Sequence, residues 1–498
     1  MLKYLPGAGM PSGRAPIAFL LALAAAPLFS GTPPTYNKDV APILYQKCVT
    51  CHRHGEVAPF SLLTYQDAAK RAGLIATVTK SRYMPVWKPE PGYGKFQHER
   101  RLTDEQIALL TEWARSGAPE GNPKDRPAPP SFAEGWQAGE PNLVLKAGKG
   151  YDVPADGPDK FQCFVLPLNL EQDSYILSAE FRPGNRRVVH HGVIYVDETG
   201  AGRKLAAASA DGSYPCFGGP RVAATGLLGG WAPGTIAAPG DPQLSVPVKK
   251  GTDLVLQIHY HPSGKPETDT SAVGITYSGP PTKGKTSLIM LNTGIDIPPG
   301  ESQYLAKSSV TLPQDVEVSG IFPHAHWLCK DMKVDAHLPN GDVTHLVWIK
   351  DWDFNWQGGY RYETPVRLPK GTRVEMAYIF DNSDKNPRNP STPPARVTFG
   401  EQTTDEMAVA FLSVVLPSPA DVPTFQREMR LSMLADQLEA GDLNRIRGRI
   451  PGLNAARVQE MMKMFDKNGD GKLDAGERAA LIDFLRTMMS SPPSQPRL

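Results

Sequence analysis

Two histidines that are one residue apart, His324 and His326, lie in the short apolar stretch 322–327. Alternate residues of a β-strand point to the same face, so a strand here would present the two imidazoles side by side. Imidazole is the commonest metal ligand in proteins. The pair therefore indicates a metal site, although a chance pair on a half-buried strand would have the same spacing.

Three more histidines, His190, His191 and His259, lie in or beside predicted strands. Adjacent strand residues point to opposite faces, so His190 and His191 can share one metal only if the backbone bends or if they use different ring nitrogens. His261 lies two residues after His259 and could be its same-face partner instead. The pattern favours metal binding but leaves open which of these histidines act together.

The stretch from Cys48 to His52 reads Cys-Val-Thr-Cys-His, the spacing of covalent c-type haem attachment. Cys48 and Cys51 would form thioethers to the haem vinyl groups, and His52 would be the proximal iron ligand. A redox-active cysteine pair is the alternative. The histidine that directly follows the second cysteine, together with an export signal, favours haem.

The second axial ligand of such a haem must be a sulfur or imidazole donor, and Met84 is the best candidate. Pro85 follows it and restricts the loop, and the stretch resembles small cytochrome c domains, in which a Met-Pro loop precedes the last helix. His54 and His98 are weaker alternatives. A structural role in the core is the alternative for Met84 itself.

A calcium-binding loop of the EF-hand type runs from residue 466 to residue 477. Its candidate oxygen donors, at loop positions 1, 3, 5, 7, 9 and 12, are Asp466, Asn468, Asp470, the carbonyl of Lys472, Asp474 and Glu477. Gly471 occupies position 6, where the chain turns sharply. We predict a structural calcium, with an acidic, solvated loop as the alternative.

The elements that must position these residues can be anticipated from composition and periodicity. The chain has 498 residues, of which 49 are proline and 46 are glycine, and this favours many short strands and turns. Helical patterns occupy 32–118 and 423–490, whereas short apolar runs separated by turns occupy 140–422, as in all-β sandwiches. The formal net charge of +1 does not indicate a nucleic-acid partner.

We predict six segments along the chain. They are a signal peptide at 1–31, a haem domain at 32–118, a proline-rich linker at 119–139, a first β-sandwich at 140–279, a second at 280–422 and a helical EF-hand segment at 423–490. A positive start and an apolar run that is short for a membrane span indicate the signal peptide. Export to a periplasm or to the outside is expected, with an uncleaved anchor as the alternative and no later transmembrane segment.

At four places the β region resembles the copper type II, ascorbate-dependent monooxygenases, which include the peptidylglycine hydroxylating and dopamine β-monooxygenases. The matching stretches occur in the family's order, over roughly residues 140–420, and are Val189-His190-His191-Gly192-Val193, Leu256-Gln257-Ile258-His259-Tyr260, Phe322-Pro323-His324-Ala325-His326 and Thr403-Thr404-Asp405-Glu406-Met407. The resemblance implies two tandem jelly-roll sandwiches. The expected fold is therefore multidomain: a small all-α cytochrome c domain, two all-β jelly-roll sandwiches and a small α-helical EF-hand segment.

The resemblance also implies two copper ions with six protein ligands. The first, electron-storing copper would be held by His190, His191 and His259, and the second, where O2 binds and the substrate C–H bond is hydroxylated, by His324, His326 and Met407. Imidazole suits both copper oxidation states, and thioether sulfur favours Cu(I). Gln257 also matches the family and could form a hydrogen bond near the first copper.

The cysteines outside the haem motif fit the same interpretation. Cys163 and Cys216 are a plausible disulfide in an oxidising compartment, and they fall where the family has a disulfide in its first sandwich. Cys329 would then be left over as a small buried side chain.

Three positions depart from the peptide-amidating members of the family, which hold a substrate carboxylate with Arg, Asn and Tyr. These positions are Phe322, Val409 and Phe411 in this chain. Apolar side chains cannot hold a carboxylate, so a glycine-extended peptide is not expected as the substrate. Phe322 and Phe411, together with Trp327, favour an apolar or aromatic substrate.

The sequence thus predicts an exported copper monooxygenase that hydroxylates an organic substrate with O2. Ascorbate, a redox protein or the fused haem would supply the electrons. A copper-handling or redox-relay protein without substrate oxidation is one alternative, and a non-catalytic binding protein with the same fold is the other. Retention of all six copper ligands argues against the second alternative.

Overall fold

The computed structural model describes residues 32–439, 460, 463–470 and 473–490, except for 57, 133–134, 210, 218, 233–234, 236 and 238 within the first range. The predicted signal peptide at 1–31 lies outside the described residues, as do Gly471 and Lys472 of the predicted calcium loop. No helix among the described residues is long and apolar enough to span a membrane.

The N-terminal part of the chain is helical. It contains a π-helical turn at Tyr36–Val40, α1 at Ala41–Lys47, α2 at Tyr65–Ala69, α3 at Ala72–Lys80 and α4 at Asp104–Arg115. The helix α4 begins after Thr103, because Thr103 and Gln106 form a capping box that satisfies the first free N–H groups. A small core centred on Tyr36 and Trp113, both fully buried, holds this helical unit together.

The chain then forms a first β unit of eleven described strands. These are β1 Leu143–Lys146, β2 Tyr151–Val153, β3 Lys160–Pro167, β4 Ser174–Arg182, β5 Val189–Asp197, β6 Ser213–Pro215, β7 Gly226–Trp231, β8 Val246–Val248, β9 Asp253–Tyr260, β10 Glu267–Asp269 and β11 Ala272–Ser278, with the short helix α5 at Ala201–Ala206. Antiparallel sheets of order β1-β11-β4-β8 and β6-β3-β9-β5-β7 share one apolar core, and β2 pairs with β10. Cys163 and Cys216 form the predicted disulfide.

A second β unit of ten described strands follows. These are β12 Gly284–Leu291, β13 Asp296–Ile297, β14 Tyr304–Thr311, β15 Val316–His324, β16 Cys329–His337, β17 Val343–Ile349, β18 Tyr360–Leu368, β19 Arg373–Phe380, β20 Val397–Thr398 and β21 Val409–Leu416. Sheets of order β12-β21-β15-β18 and β14-β19-β16-β17 enclose a second core, and β13 pairs with β20. In β19 buried residues alternate with more exposed ones, as expected for a strand with one face on a core.

Two further helices, α6 at Asp421–Glu439 and α7 at Ala475–Ser490, lie after the second β unit. The helix α6 inserts Phe425 and Met429 into the core of that unit, and Arg486 of α7 contacts Glu428 of α6 at 3.3 Å. A multidomain, β-rich chain with helical segments at both ends is therefore confirmed.

The helical unit contacts both β units. Its arm, residues 82–101, forms a β-bridge between Phe96 and Tyr362 and places Trp87 against Tyr360, with ring centroids 5.4 Å apart. On the other side Glu56 forms an ion pair with Arg186 of the first β unit at 3.0 Å. These contacts fix the face that carries Cys51 against the rest of the molecule.

Candidate metal centres

The first histidine cluster lies on β5 and β9, which are neighbours in the five-stranded sheet. His191 pairs with His259 in the register, and the register shifts between Val189 and His191. Such a bulge bends the strand and changes the direction of the side chain at the bulge. The bend that His190 and His191 need in order to share one metal is therefore present in the backbone.

The nitrogens of this cluster converge through their Nδ1 atoms. The Nδ1 atom of His191 lies 3.2 Å from that of His190 and 3.4 Å from that of His259. One ligand atom from each of the three histidines lies within 4.8 Å of the other two. Metal–imidazole bonds are about 2 Å long, so a single ion fits between these atoms. His190, His191 and His259 could therefore bind a metal ion.

Asp159 determines which nitrogen of His259 faces the cluster. Its Oδ2 lies 2.9 Å from Nε2 of His259, and its Oδ1 lies 2.7 Å from Nδ1 of His261. A proton on Nε2 of His259 that is donated to the carboxylate leaves Nδ1 free for a metal, an arrangement that recurs around metal-binding histidines. His261 is thus a partner of Asp159 and is 65% exposed, rather than a fourth member of the cluster.

The charge states of these groups suit a cation. Burial, followed by the neighbouring His259, lowers the pKa of His190 to about 3, and the same causes hold the pKa of His191 well below its usual value. For Asp159, burial raises the pKa, but hydrogen bonds and charges from His259 and His261 outweigh burial and lower the pKa to about 2. At neutral pH His190 and His191 are therefore uncharged, and the ionised carboxylate of Asp159 backs the cluster.

The second cluster lies at the end of β15. Simple alternation would place His324 and His326 on the same strand. The strand instead ends at His324, and His326 lies in the segment that follows it. The two rings are nevertheless neighbours, with centroids 5.3 Å apart. The turn is held by Trp352, whose Nε1–H donates to the carbonyl of His326 at 3.1 Å.

Both histidines of the second cluster have their Nδ1 atoms engaged. Nδ1 of His324 lies 2.7 Å from Oε1 of Gln357, and Nδ1 of His326 lies 3.0 Å from the carbonyl oxygen of Asp405. The Nε2 atoms are left to bind a metal. Burial, the main cause, lowers the pKa of His324 to about 4 and that of His326 to about 3, so both imidazoles are neutral at neutral pH.

Met407 precedes β21, which pairs with β15. Val409 lies opposite His324 in the register, and the carbonyl of Asp405 contacts His326, so Met407 lies between two contacts to the histidine pair. Its side chain is half-buried. The fold thus brings the Met407 segment beside a histidine pair that lies about 80 positions earlier in the sequence.

Glu406 is a buried residue that connects the parts of this cluster by hydrogen bonds. In the sequence it appears only as a neighbour of Met407, with no role of its own. Its carboxylate accepts hydrogen bonds from the backbone N–H groups of His326 at 2.9 Å, Leu328 at 2.5 Å and Met407 at 3.1 Å. Burial raises the pKa of Glu406 to about 8, against the lowering effect of these N–H groups. One carboxylate therefore ties the histidine turn to the methionine segment.

Phe354 lies between the two histidine clusters. It stacks on His190 with ring centroids 4.9 Å apart, and its ring lies 5.6 Å from that of His326 and 4.8 Å from that of Trp327. The side chain is 5% exposed. A single residue of the loop between β17 and β18 thus contacts both clusters, and no spacing in the sequence indicates this contact.

An apolar surface adjoins the second cluster. Phe322 and Phe411 are register partners with ring centroids 6.0 Å apart, and Ile289 is the next partner across the sheet. Phe322 lies two residues before His324, so the two share a face of β15. Phe322 and Phe411 are half-buried and Ile289 is 43% exposed, which leaves an accessible apolar face beside the histidines.

The predicted haem-binding residues lie in the helical unit. Cys48 and Cys51 follow α1 and are not joined to each other, and the Nδ1 atom of His52 lies 3.2 Å from the carbonyl oxygen of Phe60. That contact orients the ring and leaves Nε2 free. Met84 is half-buried, whereas His54 and His98 are exposed.

In the predicted calcium loop, Glu477 returns to the start of the loop. Its carboxylate accepts from the N–H groups of Lys467 at 2.7 Å, Asn468 at 3.3 Å and Asp474 at 2.8 Å. Asp466 accepts from the N–H of Gly469 at 2.8 Å. The carbonyl of Lys472, predicted at position 7, lies outside the described residues.

Comparison with known proteins does not identify this chain. No protein-family model matches it, and no curated protein matches it. Among solved structures, the STIV MCP is similar over 56% of this chain and 96% of its own, with 9% identity and a TM-score of 0.24. Peptide:N-glycanase F is similar over 55% of this chain and 89% of its own, with 12% identity and a TM-score of 0.18. Scores this low do not establish a shared fold.

Proposed function

We propose that the chain is an exported copper-dependent monooxygenase related to the copper type II, ascorbate-dependent enzymes. The observation that carries the proposal is the pair of facing histidine clusters. In the first cluster three Nδ1 atoms converge, and in the second both Nδ1 atoms are engaged and two Nε2 atoms are left for a metal. Two preorganised imidazole clusters that both contact Phe354 are more than the core of a β-protein requires.

The donor set fits copper. His190, His191 and His259 would hold one ion, and His324 and His326, with the thioether of Met407, would hold the other. Nitrogen and thioether donors suit copper in both oxidation states. Copper in the second site would supply the activation of O2 for hydroxylation of a C–H bond, and the first would store an electron. The residues around them orient the imidazoles, and burial lowers the pKa of four of them, those of His190, His191, His324 and His326.

The substrate in this proposal is an apolar or aromatic organic molecule. Phe322, Phe411 and Ile289 form the accessible face beside His324, and none of these three side chains can hold a carboxylate. An aromatic ring of the substrate would stack on the phenyl rings of Phe322 and Phe411. A glycine-extended peptide, by contrast, would leave its carboxylate desolvated and unpaired.

The helical unit would be a cytochrome c domain. Cys48 and Cys51 would bind the haem covalently, His52 would be the proximal ligand and Met84 the distal ligand. The orientation of His52 by the carbonyl of Phe60 supports this assignment over a redox-active cysteine pair. Burial raises the pKa of Cys48 to about 12, which does not suit a thiolate that must react reversibly. The haem would supply single electrons, as an alternative to ascorbate or a redox protein.

The remaining predictions complete the proposed organisation. Residues 1–31 would be the signal peptide, 119–139 a linker, and 140–279 and 280–422 two jelly-roll sandwiches with one copper site each. Residues 423–490 would bind one structural calcium through Asp466, Asn468, Asp470, Lys472, Asp474 and Glu477. The return of Glu477 to the N-terminal half of its loop supports the calcium site.

A metal and haem inventory of the purified protein tests the proposal. We expect close to two coppers and one covalent haem per chain, with His324→Ala reduced to one copper. His337→Ala, which removes an exposed histidine at the far end of β16, is the matched control and should keep both ions. Absence of copper from protein refolded or expressed with excess copper would contradict the proposal.

A second candidate function is a copper and haem redox relay without substrate oxidation. The observation that favours it is Phe354, which fills space between the clusters where a substrate could otherwise reach both sites. Oxygen consumption by the reduced, metal-loaded protein separates the two candidates. A monooxygenase consumes O2 in proportion to hydroxylated product, whereas a relay yields no oxygenated product.

A further inference from the structure

A cavity separates the haem-attachment segment from the first β unit. It has a volume of about 50 Å³ and is partly open to solvent. Thr50, Cys51 and Arg53 line one wall, and Phe181, Arg186 and Trp231 line the opposite wall. We call this space the Cys51 cavity. The cysteine that would carry the haem thioether therefore faces two aromatic residues of the first β unit.

The two walls of the Cys51 cavity are held together by one carboxylate. Glu56 accepts from Arg53 at 3.0 Å and from Gln137 at 3.3 Å on one oxygen, and it pairs with Arg186 at 3.0 Å on the other. The side chain of Glu56 is only 21% exposed, so these charged hydrogen bonds are partly shielded from solvent. The distance between Cys51 and the opposite wall is therefore fixed by local contacts and does not depend on a flexible linker.

The cavity wall formed by the first β unit lies next to the first histidine cluster. Trp231 of β7 pairs in register with Gly192 of β5, and Gly192 directly follows His191. Phe181 packs against Gly192 as well, and the centroid of its ring lies 5.8 Å from that of Trp231. A methyl group on Gly192 would lie 3.1 Å from the Phe181 ring, so the packing here is tight. Backbone and aromatic atoms form an unbroken path from the cavity to His191.

The helical unit has a second aromatic contact, which leads elsewhere. Trp87 of the arm lies edge-on to Tyr360 with ring centroids 5.4 Å apart, and Tyr360 pairs in register with Ile321 of the strand that ends at His324. Trp87 and Trp231 are thus matched aromatic residues at the two interfaces. Trp231 shares a cavity with Cys51, the covalent attachment point, whereas Trp87 is not part of the lining of that cavity.

We propose that Trp231 is the residue through which electrons pass from the haem on Cys51 to the copper held by His190, His191 and His259. This inference rests on the proposed function, because it needs both groups. In each transfer one electron would pass from haem iron(II) to copper(II), giving iron(III) and copper(I), with no bond broken and no proton moved. The haem would then supply electrons to the first copper site, with the ring of Trp231 on the route between them.

The test is the rate at which reduced haem is reoxidised inside the full-length, copper- and haem-loaded protein. Under anaerobic conditions, a flavin that is excited by a short light pulse reduces the haem. The haem absorption band then reports the reoxidation of the haem, while the electron paramagnetic resonance signal of Cu(II) is lost. We expect Trp231→Leu to slow this reoxidation about tenfold or more. Trp231→Phe, which keeps an aromatic ring, should restore most of the rate, and Trp87→Leu should leave it unchanged.

Copper content, haem content and haem potential are measured on the same samples, so that a folding defect is separated from a slower transfer. An unchanged rate in Trp231→Leu, or a rate that falls only in Trp87→Leu, would overturn the proposed route. If the protein binds both groups and oxidises a substrate while Trp231→Leu transfers normally, only this inference fails. If the wild-type protein binds no haem or no copper, the proposed function fails with it.

Discussion

The choice of ring nitrogen differs between the two histidine clusters, and individual neighbours cause the difference. Asp159 engages Nε2 of His259, which turns Nδ1 towards the first cluster. Gln357 and the carbonyl of Asp405 engage Nδ1 of the second pair, which leaves Nε2. Hydrogen bonds of this kind fix the tautomer and the ring orientation before any metal arrives.

We expect Asp159→Asn to weaken metal binding at the first cluster. The amide can accept only through its oxygen, so it cannot hold His259 and His261 together as the carboxylate does. Loss of such a partner typically lowers metal affinity about 10- to 100-fold. Copper titration against a competing chelator measures the change. Asp156→Asn, an exposed carboxylate on the same segment, is the control, and equal affinities in the two variants would contradict the role of Asp159.

Glu406→Gln should loosen the second cluster and the turn around it. One carboxyl oxygen would become an NH2 group, which cannot accept a hydrogen bond in either protonation state of Glu406, so at least one backbone N–H that now contacts that oxygen loses its partner in a buried place. We expect a loss of about 2 kcal/mol in the free energy of unfolding of the metal-free protein, measured with urea. The copper content should also fall towards one per chain. Glu363→Gln, at an exposed position of β18, should change neither quantity.

The buried histidines also predict a pH dependence for the metal-free protein. The pKa values of His190, His324 and His326 are lowered to about 3, 4 and 3 in the fold. The unfolded chain protonates them near pH 6.5, so it binds more protons than the folded chain below that pH. Stability should therefore fall as the pH drops from 6.5 towards 4, by ~1.4 kcal/mol per pH unit for each histidine.

Glu406 acts in the opposite direction, because its raised pKa gives stability that is present at low pH and is lost as the pH rises towards 8. Three histidines outweigh one carboxylate between pH 4.5 and 6.5. Urea midpoints at pH 7 and pH 5 measure the slope. The variant His324→Gln/His326→Gln should have a shallower slope, and an unchanged slope would contradict this explanation.

At the scale of elements, the loop between β17 and β18 positions more of the candidate site than any strand does. Trp352 holds the turn of His326, Gln357 orients His324, and Phe354 contacts His190 across the boundary between the β units. Trp352 and Phe354 are almost fully buried. The loop is thus part of the packed interior, and changes in it should alter both clusters together.

We expect Phe354→Ala to be among the most damaging single changes to this loop. Removal of a buried phenyl ring typically costs about 3–5 kcal/mol, since the cavity only partly collapses. In copper-loaded protein, the distribution of distances between the two Cu(II) ions, measured by pulsed electron paramagnetic resonance, should broaden. Phe217→Ala removes a phenylalanine that is 50% exposed and should cost less than about 1 kcal/mol. A similar cost for both variants would contradict the role of Phe354.

At the scale of the whole molecule, the sequence predicts what is local and misses what is distant. The helical and strand regions could be predicted from periodicity and composition, and the Cys163–Cys216 disulfide from the expected oxidising compartment and the family resemblance. The bulge at His190 could be named as a requirement but not located, because a register shift depends on the partner strand.

The partners that position the metal-site residues could not be predicted. Asp159 and His259 are 100 residues apart, and Glu406 and His326 are 80 residues apart. No local periodicity links such pairs, and they meet only because the antiparallel strands around them fold into common sheets. The contacts of the helical unit with both β units have the same origin.

The measurement that tests the central proposal most directly is the transfer of oxygen from ¹⁸O2 to a panel of aromatic substrates. The reduced, copper-loaded protein should yield a hydroxylated product that carries one labelled oxygen atom, and the product should be absent with His324→Ala. If the wild-type protein, with both sites loaded and reduced, yields no labelled product, or if His324→Ala yields as much as the wild type, the proposed monooxygenase is contradicted.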